Sequence, residues 1–373
     1  MKPKINKKDL SMLITIIAII AVVIFSGCVG EEKPTEKQGE TVTVIDDAGR
    51  TVTINTPIES FVYHGHNSYI YETLRAIGVG DRIVGTSDRF VTAGKSRYSE
   101  AYFPKLVNFT NVGLLKSPDY EVINVLKPDV VISDEESYYD RDKTPRIPVI
   151  AIDVKPTTFK ENTMKYGYLF NKEKEAKKYI DWYNKWENEI KNRTEDISDD
   201  EKPLVYIGYY DTVEYGSKTF QVPAKDNYRN IMVHTAGGRG MGDEISGSGI
   251  SQVDVEWIIT RNPDVIIFSA STEYVGYDVN NPSKVKTLID SFMNRPEFAE
   301  VNAVKNKRIY VVSHAYLLCG GASGLIGSMH YAKWIYPELF ADIDPQVMHQ
   351  EFVTKFQHLD LNVKDIVCVY PTT

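Results

Sequence analysis

Residues 172–193, KEKEAKKYIDWYNKWENEIKNR, are the stretch of sequence that decides the fold. Apolar side chains recur in it at intervals of three and four, with Lys and Glu between them, which predicts an amphipathic helix. The predicted apolar face consists of Ala176, Ile180, Tyr183, Trp186 and Ile190. A helix of this length extends about 33 Å, comparable to the diameter of a small domain. Because two similar halves flank the stretch, we interpret it as a rigid connection between them; the alternative is an ordinary surface helix.

Short apolar runs alternate with helical patterns on both sides of the predicted helix. They lie at residues 61–63, 82–85, 130–133 and 149–152 before it, and at residues 204–208, 265–268 and 308–312 after it. Strands that alternate with helices favour parallel βαβ units. A hairpin is predicted at residues 41–54, around Asp47-Ala48-Gly49. We predict an α/β fold: two α/β lobes with mainly parallel sheets, at residues 41–157 and 196–373, joined by one long rigid helix within residues 158–195.

The first forty residues indicate the cellular location of the protein. Lysines precede an apolar run at residues 12–25, which as a helix would reach only about 21 Å against the roughly 30 Å of a hydrocarbon core. The run ends in Phe25-Ser26-Gly27-Cys28, which is typical of a lipoprotein cleavage site. We predict a signal peptide at residues 1–27, lipidation of Cys28 and a charged tether at residues 28–40. The protein would then be lipid-anchored on the extracytoplasmic face of the cell membrane; the alternative is an uncleaved membrane anchor.

The composition narrows the classes of function. The chain has 373 residues, with 43 Lys and Arg against 51 Asp and Glu and a net charge of −8. An acidic surface repels phosphate backbones, so no nucleic-acid partner is predicted. Three cysteines are too few for a disulfide scaffold or a four-thiolate metal site. Outside the cytoplasm, Cys319 and Cys368 either form a disulfide or remain two buried thiols.

The two halves share a sequence pattern. Residues 121–132 read EVINVLKPDVVI and residues 256–267 read EWIITRNPDVII. In each, a Glu stands seven positions before a Pro-Asp pair that opens an apolar strand, which predicts a short helix, a turn and a buried strand. Glu121 and Glu256 lie in the first turn of these helices, where a carboxylate complements the helix dipole. Helix stability and chance similarity are the simplest explanations of the match.

The order and spacing of several segments resemble the substrate-binding proteins of ABC importers for iron-siderophore, haem and cobalamin. The segments are TVTVIDDAGRTVTI, YETLRAIGVGDRIVG and YEVINVLKPDVVI before the predicted helix, and VDVEWIITRNPDVIIF, VKNKRIYVVS and GLIGSMHYAKWIYPELFADIDP after it. The resemblance implies a monomeric, non-enzymatic receptor without an intrinsic cofactor, which binds a metal chelate between its lobes with little hinge motion. It also implies that Glu121 and Glu256 pair with arginines of a membrane permease, which acts with its ATPase.

In open parallel sheets, a ligand binds beyond the carboxyl ends of the strands. The candidate ligand-binding residues are Tyr63, His64, His66, Asn67, Asp88 and Arg89 in the first lobe and Tyr209, Tyr210, Tyr215, Arg239, His314 and Tyr316 in the second. A tyrosine oxygen is a hard ligand for ferric iron, and an arginine suits a carboxylate or phosphate. Arg239 belongs to a glycine-rich loop, residues 237–242, which would expose backbone N–H groups or aim Arg239 into the cleft.

His64 and His66 are also candidate metal ligands, because they alternate along an extended segment and so can face the same way. Loop histidines that hydrogen-bond or face water are the alternative. A receptor for an oxyanion or a free metal ion is the main competing function, although the seven histidines are scattered. An extracytoplasmic α/β enzyme is less favoured, since the sequence contains neither G-x-S-x-G nor H-E-x-x-H.

Overall fold

The structure is a computed structural model that describes residues 40–92, 99–211, 218–318 and 320–371. The predicted signal peptide, Cys28 and the tether up to residue 39 lie outside these residues, as do Tyr215 and Cys319. Cys368 is a buried free thiol, and burial raises its pKa. Among the described residues, none of the helices has the length and hydropathy that a membrane span requires.

Strands and helices alternate on both sides of the long helix, as predicted. The strands are β1 (Glu40–Ile45), β2 (Thr51–Thr56), β3 (Phe61–His64), β4 (Ile83–Thr86), β5 (Thr110–Asn111), β6 (Gly113–Leu114), β7 (Ser117–Pro118), β8 (Val130–Ser133), β9 (Val149–Ala151), β10 (Leu204–Tyr209), β11 (Thr219–Pro223), β12 (Arg239–Gly240), β13 (Ile250–Asp254), β14 (Val265–Ala270), β15 (Ile309–Ser313) and β16 (Val369–Tyr370). The helices are α1 (Ser68–Ala76), α2 (Asp88–Val91), α3 (Tyr120–Leu126), α4 (Phe159–Leu169), α5 (Glu173–Thr194), α6 (Tyr228–Thr235), α7 (Val255–Arg261), α8 (Ser283–Met293), α9 (Asn302–Lys305), α10 (Gly321–Ile335) and α11 (Pro345–Lys355).

The first lobe, the described residues before α4, is built on a parallel sheet in the order β5-β4-β3-β8-β9. Strands β3, β8 and β9 are buried along their whole length, because parallel strands are covered on both faces. The carboxyl ends of β3, β4 and β8, at His64, Thr86 and Ser133, lie along one edge of the sheet. The predicted hairpin is confirmed as the antiparallel pair β1-β2.

The second lobe, the described residues after α5, has a sheet in the order β12-β10-β14-β15-β16. Its neighbouring strands are parallel except for β16, which pairs antiparallel with β15. The carboxyl ends of β10, β14 and β15 lie at Tyr209, Ala270 and Ser313. The fold is therefore two α/β lobes with mainly parallel sheets, as predicted.

The long helix α5 spans 22 residues, as predicted, and follows α4 after a short break. Asn171 makes the break with a φ of 54°. A Cβ on Gly167 would lie 2.6 Å from the Ala176 Cβ, so this glycine lets α4 lie directly against α5. The predicted apolar face is wrong at one position: Ile180 is only half-buried, and Tyr179 and Trp182 are buried in addition.

Helix α5 joins the two lobes. It contacts α1 and α4 on one side and α6 and α10 on the other. One continuous apolar core contains residues of both lobes together with the buried side chains of α5. A smaller core lies in each lobe, around Tyr139 in the first and around Phe268 in the second. The lobes are thus connected by packing as well as by the chain.

Candidate ligand-binding cleft

A cavity of about 230 Å³ lies between the carboxyl edges of the two sheets. Its lining is His66, Asn67, Ser68, Tyr69 and Arg89 from the first lobe and Tyr228, Arg229, His314, Ala315 and Leu318 from the second. A cavity of about 320 Å³ adjoins it, because both are lined by His314 and Ala315. Tyr209, Tyr210 and Asp211 line this second cavity.

The first-lobe wall is organised by Asp134, which follows β8 and is buried. Its Oδ2 accepts hydrogen bonds from the backbone N–H groups of His66 at 2.6 Å and Asn67 at 2.9 Å, and from the Tyr63 hydroxyl at 3.1 Å. Burial by itself would raise the pKa of Asp134, but the adjacent His66 and these N–H donors hold that pKa below its usual value. Asp134 therefore fixes the loop that follows β3 and keeps a negative charge beneath it.

His66 is the cleft residue that this charge affects most directly. Its Nδ1 lies 3.2 Å from Asp134 Oδ2, and this carboxylate raises the pKa of His66 above its usual value. The Arg89 Nε donates to the His66 carbonyl at 3.3 Å, so Arg89 is attached to the same loop. Behind them, burial and, to a lesser extent, the charge of Asp134 together raise the pKa of Asp153 to about 6. His66 and Asp134 therefore balance each other, and Arg89 is held by the backbone of the same loop.

The second-lobe wall is built around Arg229, whose side chain enters the cavity from α6. Arg229 is 6% exposed, and its Cζ lies 4.4 Å from the Tyr228 ring centroid and 5.3 Å from that of Tyr209. Its Nη2 lies 3.4 Å from His314 Nε2, while its Nε has no hydrogen-bond partner. The ion pairs of the described residues do not include Arg229. A buried guanidinium held between aromatic rings without a carboxylate is a ready site for an anion.

Six predicted residues line these cavities, as expected for residues that follow the carboxyl ends of parallel strands: His66, Asn67, Arg89, Tyr209, Tyr210 and His314. Three others support the structure instead. Tyr63 is buried beneath the loop and donates to Asp134. Asp88 accepts from Asn111 Nδ2 at 2.8 Å, and the buried Tyr316 hydroxyl accepts from the Ser99 N–H.

The expectation that His64 and His66 act together is not met. His64 is completely buried; its ring centroid lies 5.6 Å from that of Tyr139, and its Nε2 lies 3.4 Å from the Leu114 carbonyl oxygen. Burial lowers the pKa of His64. Of the two histidines, the cavity lining includes His66 but not His64. Within the described ranges, no group of three or more His, Cys, Asp or Glu side chains is arranged to hold a metal ion.

The expectation for Arg239 is wrong. Arg239 pairs with Leu204, the first residue of β10, whereas the cleft lies beyond Tyr209 at the other end of that strand. Because β12 and β10 are parallel, Arg239 lies at the amino edge of the sheet and is exposed there. The glycine-rich loop that contains it therefore does not aim this arginine into the cleft.

The residues that sequence reasoning missed are Tyr69, Tyr228 and Arg229. Tyr228 and Arg229 begin a helix that follows no strand of the main sheet, so a search at the carboxyl ends of the strands does not find them. The one local signal is Asn227, whose side chain caps α6 by accepting from the Arg229 N–H at 3.1 Å. A predicted helix start at Asn227 would have placed Tyr228 and Arg229 in its first turn.

The repeat seen in the sequence is present in the structure. Helices α3 and α7 each span seven residues and begin after an aspartate whose side chain caps the helix, Asp119 and Asp254. Each ends at a residue in the left-handed conformation, with φ of 48° and 49°. Glu121 and Glu256 are both exposed in the first turn. The two lobes thus present one glutamate each on matched helices.

Comparison with known proteins agrees with this architecture. The sequence profile described as "Periplasmic binding protein" matches residues 66–316. The Fe(3+)-citrate-binding protein YfmC of Bacillus subtilis is 22% identical over 309 residues, which cover 79% of this chain and 86% of that protein. The molybdate-binding protein MolA of Haemophilus influenzae is 23% identical over 281 residues, 68% of this chain and 74% of that protein.

Among solved structures, the TroA-like periplasmic binding protein FepB from Veillonella parvula superposes with a TM-score of 0.74. It is 21% identical, and the superposition covers 89% of this chain and 100% of that one. At this identity the likeness establishes the fold.

Proposed function

Because the chain belongs to the periplasmic binding protein family, we propose that it is the lipid-anchored receptor of an ABC importer. It captures an iron complex or related metal chelate, such as a siderophore, haem or corrinoid, in the cleft and delivers it to a membrane permease. The ferric-citrate-binding relative supports an iron chelate. The anchor at Cys28 is supported by the sequence of residues 12–28. On this proposal the protein binds and transfers its ligand without chemical change and carries no intrinsic cofactor.

The observation that carries the proposal is the buried Arg229 in a cavity between two lobes. Burying a cation without a carboxylate beside it, as is the case for Arg229 among the described residues, costs several kcal/mol, and an anionic ligand would offset that cost. Ferric complexes of polycarboxylate or catecholate chelators are anionic. Arg89 faces the same cavity from the other lobe, so that one anionic ligand can contact both. The adjoining cavity, with Tyr209 and Tyr210, leaves room for a ligand larger than a small ion.

A small oxyanion is the second candidate. The cavity of about 230 Å³ that holds Arg89 and Arg229 is by itself large enough for a tetrahedral oxyanion. The molybdate-binding relative supports this alternative. The two candidates differ in how much of the cleft they occupy, because an oxyanion would leave the cavity beside Tyr209 and Tyr210 empty.

The test is a titration of the purified chain with ferric citrate, ferric enterobactin, haem, cobalamin, molybdate and zinc, followed by tyrosine and tryptophan fluorescence and by thermal unfolding. A ligand present at one hundred times its Kd stabilises the folded state by about 2.7 kcal/mol, which is a readily measured rise in Tm. We expect saturable stabilisation by a metal chelate. Stabilisation by molybdate alone would favour the second candidate, and stabilisation by zinc alone would contradict both.

Glu121 and Glu256 are proposed to dock the receptor on its permease. Surface ion pairs contribute only about 0–1 kcal/mol each, but two at a fixed separation set orientation and register. Replacing both with Ala should reduce uptake in cells by up to about thirtyfold and leave ligand affinity unchanged. The matched control replaces Glu59 and Glu338, an exposed glutamate in each lobe, and should leave uptake intact. Loss of ligand affinity in the double variant would show that the docking role is wrong.

A further inference from the structure

The two lobes meet at a buried interface in addition to α5. Here the start of α10, in the second lobe, lies against α1 of the first. Gly321 has a φ of 68°, and its N–H donates to the Val154 carbonyl at 3.1 Å. A Cβ on Gly320 would lie 2.9 Å from the Tyr69 ring, so a glycine is needed for this close approach.

Glu72 of α1 lies at the centre of this interface and is 1% exposed. Its Oε1 accepts from the Tyr102 hydroxyl of its own lobe at 2.9 Å. Its Oε2 accepts from the Ser323 hydroxyl of α10 at 2.7 Å. Its backbone carbonyl accepts from Gln357 Nε2 of the second lobe at 3.1 Å. One residue of the first lobe therefore binds two separate segments of the second.

The contacts around Glu72 extend the same connection. The Tyr102 ring stacks on Tyr277 of the second lobe with a centroid distance of 3.9 Å. Beside them, the Ser99 hydroxyl donates to Asp278 Oδ1 at 2.6 Å. Since Tyr102 also donates to Glu72, the carboxylate holds the ring that makes this stack.

The interface is close to both walls of the ligand cleft. Ser68 and Tyr69, which line the cavity, belong to the same helix as Glu72, and Ser68 lies one helical turn before it. Ala315 and Leu318, which line the other wall, directly precede α10 and Ser323. A change in the contact between α1 and α10 would therefore move the two walls relative to each other.

We propose that Glu72 is a positioning residue, which joins the lobes through Tyr102 and Ser323 and thereby fixes the width of the ligand cleft. Fixing the walls in this way selects ligands by size, because a cleft that cannot widen excludes larger ones.

We expect the strength of this connection to depend on pH. Burial raises the pKa of Glu72 to about 7, although the hydroxyls of Ser323 and Tyr102 and the charge of Arg75 oppose the rise. Arg75 is the charged group near the carboxyl on α1, and the other segments present the hydroxyls of Tyr102, Ser323 and Tyr277. A carboxyl whose folded-state pKa is raised stabilises the folded state at low pH, and this contribution is lost as the pH rises through about 7.

The test is hydrogen–deuterium exchange of the full-length chain in detergent micelles. Glu72→Ala should speed exchange of protected amides in α1 and, across the interface, in α10, by about tenfold or more, because two buried hydroxyls lose their hydrogen-bond acceptor. The matched control is Thr73→Val, since the buried Thr73 hydroxyl donates within α1, to the Tyr69 carbonyl at 2.9 Å. It should affect α1 alone. The proposal would be overturned if α10 of the Glu72→Ala variant exchanged at the wild-type rate. It would also be overturned if both variants changed the exchange rate of α10 equally.

Glu72→Gln keeps the test informative if the Ala variant does not fold. Gln preserves shape and hydrogen bonding but does not ionise. After correction for the intrinsic exchange rates, the amides of α10 should exchange faster at pH 8 than at pH 6 in the wild type. In Glu72→Gln this increase should be smaller or absent. Parallel pH profiles of the two proteins would contradict the role of the carboxyl.

Discussion

The two walls of the cleft differ in how their charges are balanced. In the first lobe, Asp134 lies against His66, and Arg89 is attached to the same loop. In the second lobe, Arg229 is buried between Tyr209 and Tyr228, and no carboxylate pairs with it among the described residues. A wall in which an aspartate and a histidine balance each other can position a ligand, whereas a wall with a buried, unbalanced cation can provide affinity for an anion. On the proposed function, the first lobe positions the ligand and the second lobe supplies most of the affinity for its negative charge.

The sharpest test of this difference exchanges each arginine for glutamine. Truncating one member of a desolvated charge pair typically costs 2–5 kcal/mol, so Arg229→Gln should raise the Kd for the bound chelate by about thirtyfold or more. Arg89→Gln should raise it less, by about three- to tenfold, because Arg89 is only half-buried. Isothermal titration calorimetry with the chelate found by the ligand titration measures both.

The control for these variants is Arg239→Gln, which changes an exposed arginine at the amino edge of the second sheet. Its Kd should equal that of the wild type. Equal losses for Arg89 and Arg229, or a greater loss for Arg89, would remove the proposed division between the walls.

The first-lobe wall should respond to pH through Asp153. Its folded-state pKa is raised from 3.8 to about 6, mainly by burial. Asp153 therefore stabilises the folded state below about pH 4, and this contribution, up to about 3 kcal/mol, is lost as the pH rises through about 6. The unfolding free energy of Asp153→Asn relative to wild type should increase from pH 4 to pH 7, as measured by urea denaturation. A difference that stays constant over this range would contradict the raised pKa.

Asp134 should behave in the opposite sense, because its folded-state pKa is lowered. Its contribution is present above the unfolded-state pKa and is lost as the pH falls through the folded-state value. At pH 7, Asp134→Asn should lower the unfolding free energy by about 1–3 kcal/mol, since charged hydrogen bonds to the N–H groups of His66 and Asn67 are lost.

Asp88→Asn is the comparison for that measurement. Asp88 is half-buried and accepts one side-chain hydrogen bond, from Asn111. Asp88→Asn should lower the unfolding free energy by less than about 1 kcal/mol. If the two variants were equally stable, Asp134 would not be the residue that organises this wall.

The fold could be predicted because local patterns determine it. The apolar run at 130–133 is β8 itself, and the three- and four-residue spacing in residues 172–193 identifies α5. The buried face of α5 was predicted less well. Because α5 packs on different elements along its length, it buries Tyr179 and Trp182 as well as Tyr183. Periodicity alone does not show which neighbours a helix will have.

The site was predictable only where it follows from strand direction. His66, Tyr209 and His314 line the cavities because each lies at or just beyond the carboxyl end of a parallel strand. Arg239 was misplaced because strand pairing, which sets it at the amino edge, is a long-range property. Arg229 was missed for a similar reason: it enters the cleft from a helix, and tertiary packing alone brings α6 to that position.

The smallest effects are expected where the lobes are most alike, on α3 and α7. Because both glutamates are exposed and stand in the first turn of helices with the same length and caps, Glu121→Ala and Glu256→Ala should reduce uptake to a similar extent. Each single surface pair contributes about 0–1 kcal/mol, which corresponds to a reduction of at most about fivefold in productive docking. Uptake of radiolabelled chelate by cells that express each variant at equal levels measures this. A loss confined to one variant would mean that a single lobe docks, and the matched helices would then reflect only the shared architecture of the two halves.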